Sequence, residues 1–200
     1  MKRVVVDLDG CCSEFNAPMW QLLNQYCPMT PLPDTGPDVW DWYRKYGASD
    51  KAIDLAHQDT TPRWWGDLPP HADFTKKCRE LLEDLHDEAE VSFVTARPRG
   101  RDETVKWLRR YLPLVPHPQV VLTPTNKAAA LFAMEPHIIV EDSGMNLAAY
   151  QQLLSQTQRN RVTLILVNRP YNSHYRGRFD LDATTTLDAM SAAMRLCERN

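Results

Sequence analysis

Five short apolar runs constrain the fold of this chain more than any other feature of its sequence. Each run is rich in Val, Ile or Leu and nearly continuous, instead of alternating with polar residues. This pattern is typical of strands that are buried on both faces, as in a parallel sheet covered by helices. The runs are Arg3–Leu8, Val91–Thr95, Gln119–Leu122, His137–Val140 and Val162–Val167.

Helical segments are predicted to separate these runs and to follow the last of them. Residues 99–112, for example, place Val105, Leu108 and Leu112 on one stripe, and Asn126 is a suitable N-cap for a helix over 126–134. Further helices are predicted over 71–88, 144–156 and 184–197. The alternation of strands and helices predicts an α/β, doubly wound (Rossmann-like) parallel sheet of five strands.

The stretch 16–70 departs from this alternation. It is rich in proline and holds five of the six tryptophans of the chain. Short helices are predicted at 16–26, 38–46 and 49–58. We therefore predict a small helical cap subdomain over 16–70, inserted after the first strand into a core domain formed by 1–15 and 71–200.

Composition limits the possible binding partners of the protein and its cellular location. A net charge of −3 gives no reason to expect binding of a polyanion, so a nucleic-acid partner is disfavoured despite a local group of arginines and lysines between Arg97 and Arg110. The longest apolar runs are too short to span a bilayer or to act as a secretory signal, so no membrane partner is expected. Five cysteines without a Cys-x-x-Cys pair indicate free thiols in the cytoplasm. The sequence leaves open whether the protein forms a homodimer.

Polar residues follow four of the apolar runs, where the carboxyl ends of parallel strands would meet and where ligands bind in such sheets. They are Asp7 and Asp9, Thr95, Lys127, and Glu141 with Asp142. A carboxylate can attack phosphorus and form an acyl phosphate, and Mg²⁺ prefers hard oxygen ligands. Asp9 shares a face with Asp7, so one of them can attack while the other transfers protons.

The residues beside these acids suit a phosphate group. Gly10 allows the backbone to approach a phosphate closely. The Thr95 hydroxyl and the neighbouring N–H groups, including that of Ala96, can hold phosphate oxygens. Lys127 supplies a positive charge that offsets both the phosphate and the nucleophile. Together these residue types predict a phosphoryl-transfer site.

The ordered motifs resemble those of the haloacid dehalogenase (HAD) superfamily of phosphohydrolases: Asp-x-Asp, then Thr or Ser, then Lys, then an acidic pair. This resemblance implies that Asp7 is the nucleophile and Asp9 the acid/base. It also implies a Mg²⁺ ion held by Asp7, the Asp9 backbone carbonyl and Asp142, with Glu141 in a supporting role because many relatives carry Asp there.

A narrower resemblance is to the 5′(3′)-deoxyribonucleotidases. It rests on the small cap directly after the first motif, Thr95-Ala96-Arg97-Pro98, the run 139–143 followed by Asn146, and the segment 168–172. Cys11-Cys12 departs from the aliphatic residues of most relatives. The resemblance implies a small-molecule substrate: a phosphomonoesterase that hydrolyses (deoxy)nucleoside monophosphates through a phospho-aspartate.

Three points stay open at this stage. The substrate could be another small phosphate ester or a 3′-phosphate on a nucleic-acid end, and a non-catalytic binding protein on this fold is a weaker alternative. The aromatic residues of the cap could stack on a base, but a cap of this size also needs its own core. Phe15, Trp42 and Arg97 are the residues we expect to line the substrate pocket.

Overall fold

The protein is built around one sheet of six parallel strands, in the order β3-β2-β1-β4-β5-β6. A computed structural model describes residues 1–124 and 126–198, so residues 125, 199 and 200 of the predicted core lie outside the described residues. The strands are β1 (Lys2–Val6), β2 (Ala89–Thr95), β3 (Gln119–Leu122), β4 (Ile138–Glu141), β5 (Thr163–Val167) and β6 (Leu181–Ala183). The predicted α/β class with a Rossmann-like parallel sheet is confirmed.

The predicted number of five strands is wrong. The sixth strand pairs with β5 at the edge of the sheet, with Ile165 opposite Leu181 and Val167 opposite Ala183. It has three residues, of which only Ala183 is buried. A short edge strand with one buried side chain has no continuous apolar run, so the pattern used for the other strands could not detect it.

Ten α-helices and one 3₁₀ helix accompany the sheet in the described part of the chain. They are α1 (Asn16–Leu23), α2 (Trp42–Lys45), α3 (Asp50–Asp59), α4 (Pro62–Gly66), α5 (Lys76–Glu88), α6 (Arg101–Tyr111), α7 (Lys127–Met134), α8 (Gly144–Leu153), α9 (Gln156–Arg159), the 3₁₀ helix Pro170–Tyr175 and α10 (Thr186–Glu198). Within these residues, no helix combines the length and the hydrophobicity needed to cross a bilayer.

Several helices begin or end at other residues than predicted, because side chains at their termini cap them. The predicted helix over 71–88 begins only at Lys76, since the Thr75 side chain accepts a hydrogen bond from the Cys78 N–H. The predicted helix over 144–156 ends at Leu153, because Ser155 starts α9 with a capping box. Asn126 caps α7 as predicted, accepting from the Ala129 N–H at 3.0 Å. Of the predicted helix over 38–46 only α2 forms, and α4 was not predicted.

Side chains of β1 alternate between two hydrophobic cores. Val4 and Val6 pack in the core that includes α5, α6 and α10, whereas Val5 packs with residues of α7 and α8 on the other face. Both faces of the sheet are therefore covered, which is why the strands read as continuous apolar runs. The pairing of Val6 with Val140 places Asp7 beside the end of β4.

Residues 16–70 form α1 to α4 with an apolar cluster of their own, which includes Met19, Leu23 and Trp42. The chain leaves and rejoins the core through two adjacent segments. The Glu14 N–H donates to the Pro69 carbonyl at 2.9 Å, and the His71 N–H donates to the Cys12 carbonyl at 2.8 Å.

Candidate active site

A cavity of about 650 Å³ lies between the carboxyl ends of the strands and the segment 16–70. It brings together most of the residues selected from the sequence. These are Asp7, Asp9, Gly10, Phe15, Trp42, Ala96, Arg97, Lys127, Glu141 and Asp142. Thr95 lies beneath the cavity floor and is fully buried.

Lys127 joins two carboxylates at the bottom of the cavity. Its Nζ donates a hydrogen bond to Asp7 Oδ1 and lies 2.6 Å from Glu141 Oε2. Burial alone would lower the pKa of Lys127, but the two carboxylates raise it above its ordinary value. The other oxygen of Glu141 accepts from the Ser143 N–H at 2.9 Å. Glu141 therefore holds Lys127 in place beside Asp7.

Asp142 completes an acidic group with Asp7. Its Oδ2 accepts a hydrogen bond from the Tyr171 hydroxyl, and its backbone carbonyl accepts one from Asn172 at 2.7 Å. Burial and the charge of Glu141 raise the pKa of Asp142 to about 7. Burial, followed by the charge of Glu141, raises the pKa of Asp7 well above its usual value, although Lys127 lowers it.

The donor set around these carboxylates fits a divalent cation. Asp7, Glu141 and Asp142 place three acids against the single ammonium group of Lys127, which leaves an excess of negative charge when all are ionised. Oδ1 of Asp142 is buried and has no hydrogen-bond partner among the described residues. Oxygens of Asp7 and Asp142 and the Cys11 sulfur lie within 4.8 Å of one another. Hard carboxylate oxygens with unsatisfied charge are suitable ligands for Mg²⁺.

Gly10 is required by close packing at this point. Its φ is +90°, and a Cβ atom built on it would overlap Asp142 Oδ2 and lie 2.7 Å from the Tyr171 hydroxyl oxygen. The Gly10 carbonyl accepts from Arg169 Nε at 2.8 Å. Arg169 and Tyr171 belong to the segment 168–172. This segment contributed to the resemblance to the deoxyribonucleotidases, but its residues were not predicted to be part of the site.

Asp9 is held by a different group of residues from Asp7. Arg97 donates to both of its carboxylate oxygens, Ser13 donates at 2.7 Å and Thr95 at 2.8 Å. Burial raises the pKa of Asp9, but the charge of Arg97 and the hydrogen bonds from Arg97, Ser13 and Thr95 together outweigh it, so the net pKa is lowered. The Thr95 hydroxyl and the Arg97 guanidinium both donate to Asp9, and Arg97 also lines the cavity.

The side of the cavity that faces residues 16–70 is aromatic. The Phe15 ring stacks on Trp65 with centroids 5.9 Å apart. Trp42, expected in the pocket, is only 3% exposed, and it belongs mainly to the core of residues 16–70. Trp40 is 45% exposed and meets the Tyr171 ring edge-on at 5.5 Å. Nothing in the sequence distinguishes Trp40 from Trp42, because their exposure depends on how residues 16–70 fold.

Comparisons with solved structures show the fold. The chain is similar to a predicted phosphatase from Clostridium acetobutylicum, with a TM-score of 0.64, 12% identity, and coverage of 97% of this chain and 98% of that one. It is also similar to a HAD family hydrolase from Deinococcus radiodurans that contains bound phosphate and sodium, with a TM-score of 0.58, 15% identity and coverage of 99% and 96%. No curated protein sequence matches the chain significantly.

A family profile matches almost the whole sequence. It covers residues 1–193 and describes the "5′ nucleotidase, deoxy (Pyrimidine), cytosolic type C protein" family. The predicted resemblance to HAD phosphohydrolases of the deoxyribonucleotidase type is thereby confirmed. The chain belongs to this 5′-nucleotidase family, and it is a phosphoric monoester hydrolase of the HAD type.

Proposed function

We propose that this protein hydrolyses (deoxy)nucleoside monophosphates to nucleoside and phosphate, with Mg²⁺, through a phospho-aspartate on Asp7. One observation carries the proposal. The Asp7 carboxylate lies on the floor of the cavity, between the ammonium group of Lys127 and the carboxylate of Asp142, with Asp9 two residues away. The nucleophile thus lies close to a fixed cation and to a carboxylate that can bind a metal, and Asp9 lines the same cavity.

The reaction would proceed in two steps. A carboxylate oxygen of Asp7 attacks phosphorus and the bond from phosphorus to the ester oxygen breaks. Asp9 must enter this step protonated, against the preference that Arg97 gives to its ionised form, and it gives its proton to the leaving oxygen. Asp9 then takes a proton from a water molecule that attacks the phosphorus of the acyl phosphate. Phosphate leaves, and the Asp7 carboxylate is regenerated.

Charge control is the main task of the remaining groups. Lys127 offsets the charge on Asp7 and on the incoming phosphate, and Glu141 keeps its ammonium group in place. Asp7, Asp142 and the Asp9 backbone carbonyl would hold Mg²⁺, which supplies electrostatic stabilisation of the phosphoryl oxygens when it is bound. The N–H of Ala96 and the Gly10 turn would line the phosphate position.

The cap side of the cavity supports a nucleoside as the leaving group. We propose that residues 16–70 act as a cap that excludes water from the bound ester. The cavity volume of about 650 Å³ is in the range of small-ligand sites. Phe15 and Trp40 are aromatic and partly exposed at its wall, and aromatic faces stack on bases.

A polynucleotide end fits less well. Arg97 is buried, and Arg101 Nε donates to the Val120 carbonyl at 3.2 Å. We further propose that the protein acts in the cytoplasm, which the five free cysteines and the cytosolic description of the family support.

The test is a phosphate-release screen with Mg²⁺ over nucleoside monophosphates, sugar phosphates and 3′-phosphorylated oligonucleotides. We expect release from the nucleotides to exceed the others, and Asp7→Asn to abolish it while the protein stays folded. Equal, weak rates on every substrate would refute the nucleotide assignment. Parent activity in Asp7→Asn would refute the mechanism.

A further inference from the structure

Arg97 makes more hydrogen bonds than any other described side chain at the site. It is 1% exposed, and its guanidinium group has five N–H donors. Nε donates to Asp9 Oδ2 at 2.9 Å, and Nη2 donates to Asp9 Oδ1 at 2.7 Å and to Ser13 Oγ at 3.0 Å. Nη1 donates to Thr104 Oγ1 at 3.0 Å and to the Trp65 carbonyl at 3.3 Å. These five bonds use all five donors, so none is left for a phosphate.

The contact with Asp9 has a specific geometry. Two parallel N–H bonds from a planar guanidinium fix both oxygens of a carboxylate, which a lysine cannot do. Ser13 adds a bond to Oδ1 and Thr95 adds one to Oδ2. The Asp9 carboxylate is therefore fixed in orientation by four hydrogen bonds from three side chains, and Arg97 contributes the two parallel ones.

The same guanidinium also contacts the cap. Trp65 belongs to α4, and its ring lies 5.2 Å from the guanidinium carbon in addition to its carbonyl contact. Ser13 lies in the connection between core and cap, where it pairs with Pro70. Arg97 thus joins Asp9 in the core to one helix of the cap and to the base of the cap.

We propose that Arg97 is the positioning residue of Asp9, and that its contacts with Trp65 and Ser13 make the orientation of the Asp9 carboxylate depend on the seating of the cap. This inference rests on the proposed function of Asp9 as acid/base. Arg97 lines the cavity, and its proposed role is to act through Asp9 instead of binding the substrate directly. Arg97 acts on the reaction only through Asp9, whereas a substrate-binding arginine would act independently of it.

A double-mutant cycle separates these two roles. Arg97→Met, Asp9→Asn and the double variant are assayed on one nucleoside monophosphate with saturating Mg²⁺. General acid–base catalysis contributes about 10²–10⁴-fold, so Asp9→Asn should lower kcat by that order. Arg97→Met should lower kcat by about tenfold or more with KM changed less than about twofold, because no donor of Arg97 is free for the substrate. In the Asp9→Asn background, Arg97→Met should cost less than about twofold.

Other outcomes of the double-mutant cycle would contradict the proposal. Losses that multiply in the double variant, or a higher KM with kcat unchanged, would overturn the positioning role. Parent activity in Asp9→Asn would instead refute the proposed function of Asp9. If Arg97→Met does not fold, Arg97→Lys replaces it in the cycle, since it keeps the charge and loses the paired bonds. Arg101→Met, an exposed arginine on the next helix, is the matched control and should keep parent kinetics.

Discussion

The Tyr171 hydroxyl donates a hydrogen bond to Oδ2 of Asp142, and Oδ1 of the same carboxylate is buried without a partner in the described part of the chain. One oxygen is therefore oriented by the protein while the other is available to a cation. Partners of metal ligands commonly set metal affinity in this way.

The first prediction follows from this pair. Tyr171→Phe keeps the ring and removes the hydroxyl, so the Asp142 carboxylate loses its orientation. The Mg²⁺ concentration that gives half-maximal phosphate release should rise about 10-fold or more. The Mg²⁺-induced increase in Tm should shrink as well. An unchanged Mg²⁺ dependence in both measurements would show that Tyr171 does not orient the metal ligand.

The second prediction concerns Lys127, which balances Asp7 and Glu141. Lys127→Met leaves two buried carboxylates without their cation, and removing one partner of a buried ion pair costs about 3–5 kcal/mol. We expect a lower Tm and a loss of activity. The double variant Lys127→Met with Glu141→Gln removes one unbalanced charge, so it should recover Tm in part and no activity. Full recovery of turnover would contradict the role of Lys127 at the nucleophile.

The third prediction compares two glycines with similar backbone. Gly10 and Gly36 have φ of +90° and +85°, but an added Cβ meets Asp142 and Tyr171 at Gly10 and nothing within 4 Å at Gly36. Gly36→Ala should cost only backbone strain of about 1–2 kcal/mol. Gly10→Ala should lower Tm further and reduce phosphate release, because Asp142 must move. Equal effects of the two variants on activity would show that close packing at Gly10 is unimportant.

The fourth prediction is a pH dependence of stability at the cap base. His71 lies near Glu14, Asp73 and Arg169. Burial, followed by the charge of Arg169, lowers the pKa of His71. The unfolded chain therefore binds a proton more readily than the native one, and stability should be lost as the pH falls through about 6.5.

The measurement is Tm at pH 7.5 and at pH 5.5. The decrease in Tm on acidification should be smaller in His71→Gln than in the parent protein. His117→Gln, which changes an exposed histidine, is the control and should behave like the parent. Identical decreases in all three proteins would exclude His71 as a source of the pH dependence.

The fifth prediction tests the aromatic wall. Trp40→Ala removes a 45% exposed indole from the cavity without disturbing the core around Trp42. Loss of base stacking of about 1–3 kcal/mol should raise KM for a nucleoside monophosphate by about 5-fold or more. Hydrolysis of a phosphate ester without an aromatic group should be little affected. An equal change on both substrates would argue against stacking on Trp40.

The amino-acid sequence by itself determined the class of the fold and the positions of the chemistry. Short continuous apolar runs rich in β-branched residues favour strands covered on both faces, and on this basis Val4 to Val6 and Ile138 to Val140 were predicted as interior strands. Once the strands are parallel, Asp7 and Asp142 follow neighbouring strand ends, and their proximity is a consequence of topology. The residue types at these strand ends predicted a phosphoryl-transfer site, and the resemblance of the ordered motifs to the HAD superfamily implied a phosphatase.

Only the tertiary structure decided which hydrogen-bond partners the polar side chains have. Arg97 is two residues from Thr95 in the chain, but its five bonds reach Asp9, Ser13, Trp65 and Thr104. These groups come together only after residues 16–70 and α6 are in place. The exposure of Trp40 and the burial of Trp42 depend in the same way on packing within the cap. Hydrophobic periodicity reports which face of an element is buried, whereas the direction of a polar side chain is set by groups distant in sequence.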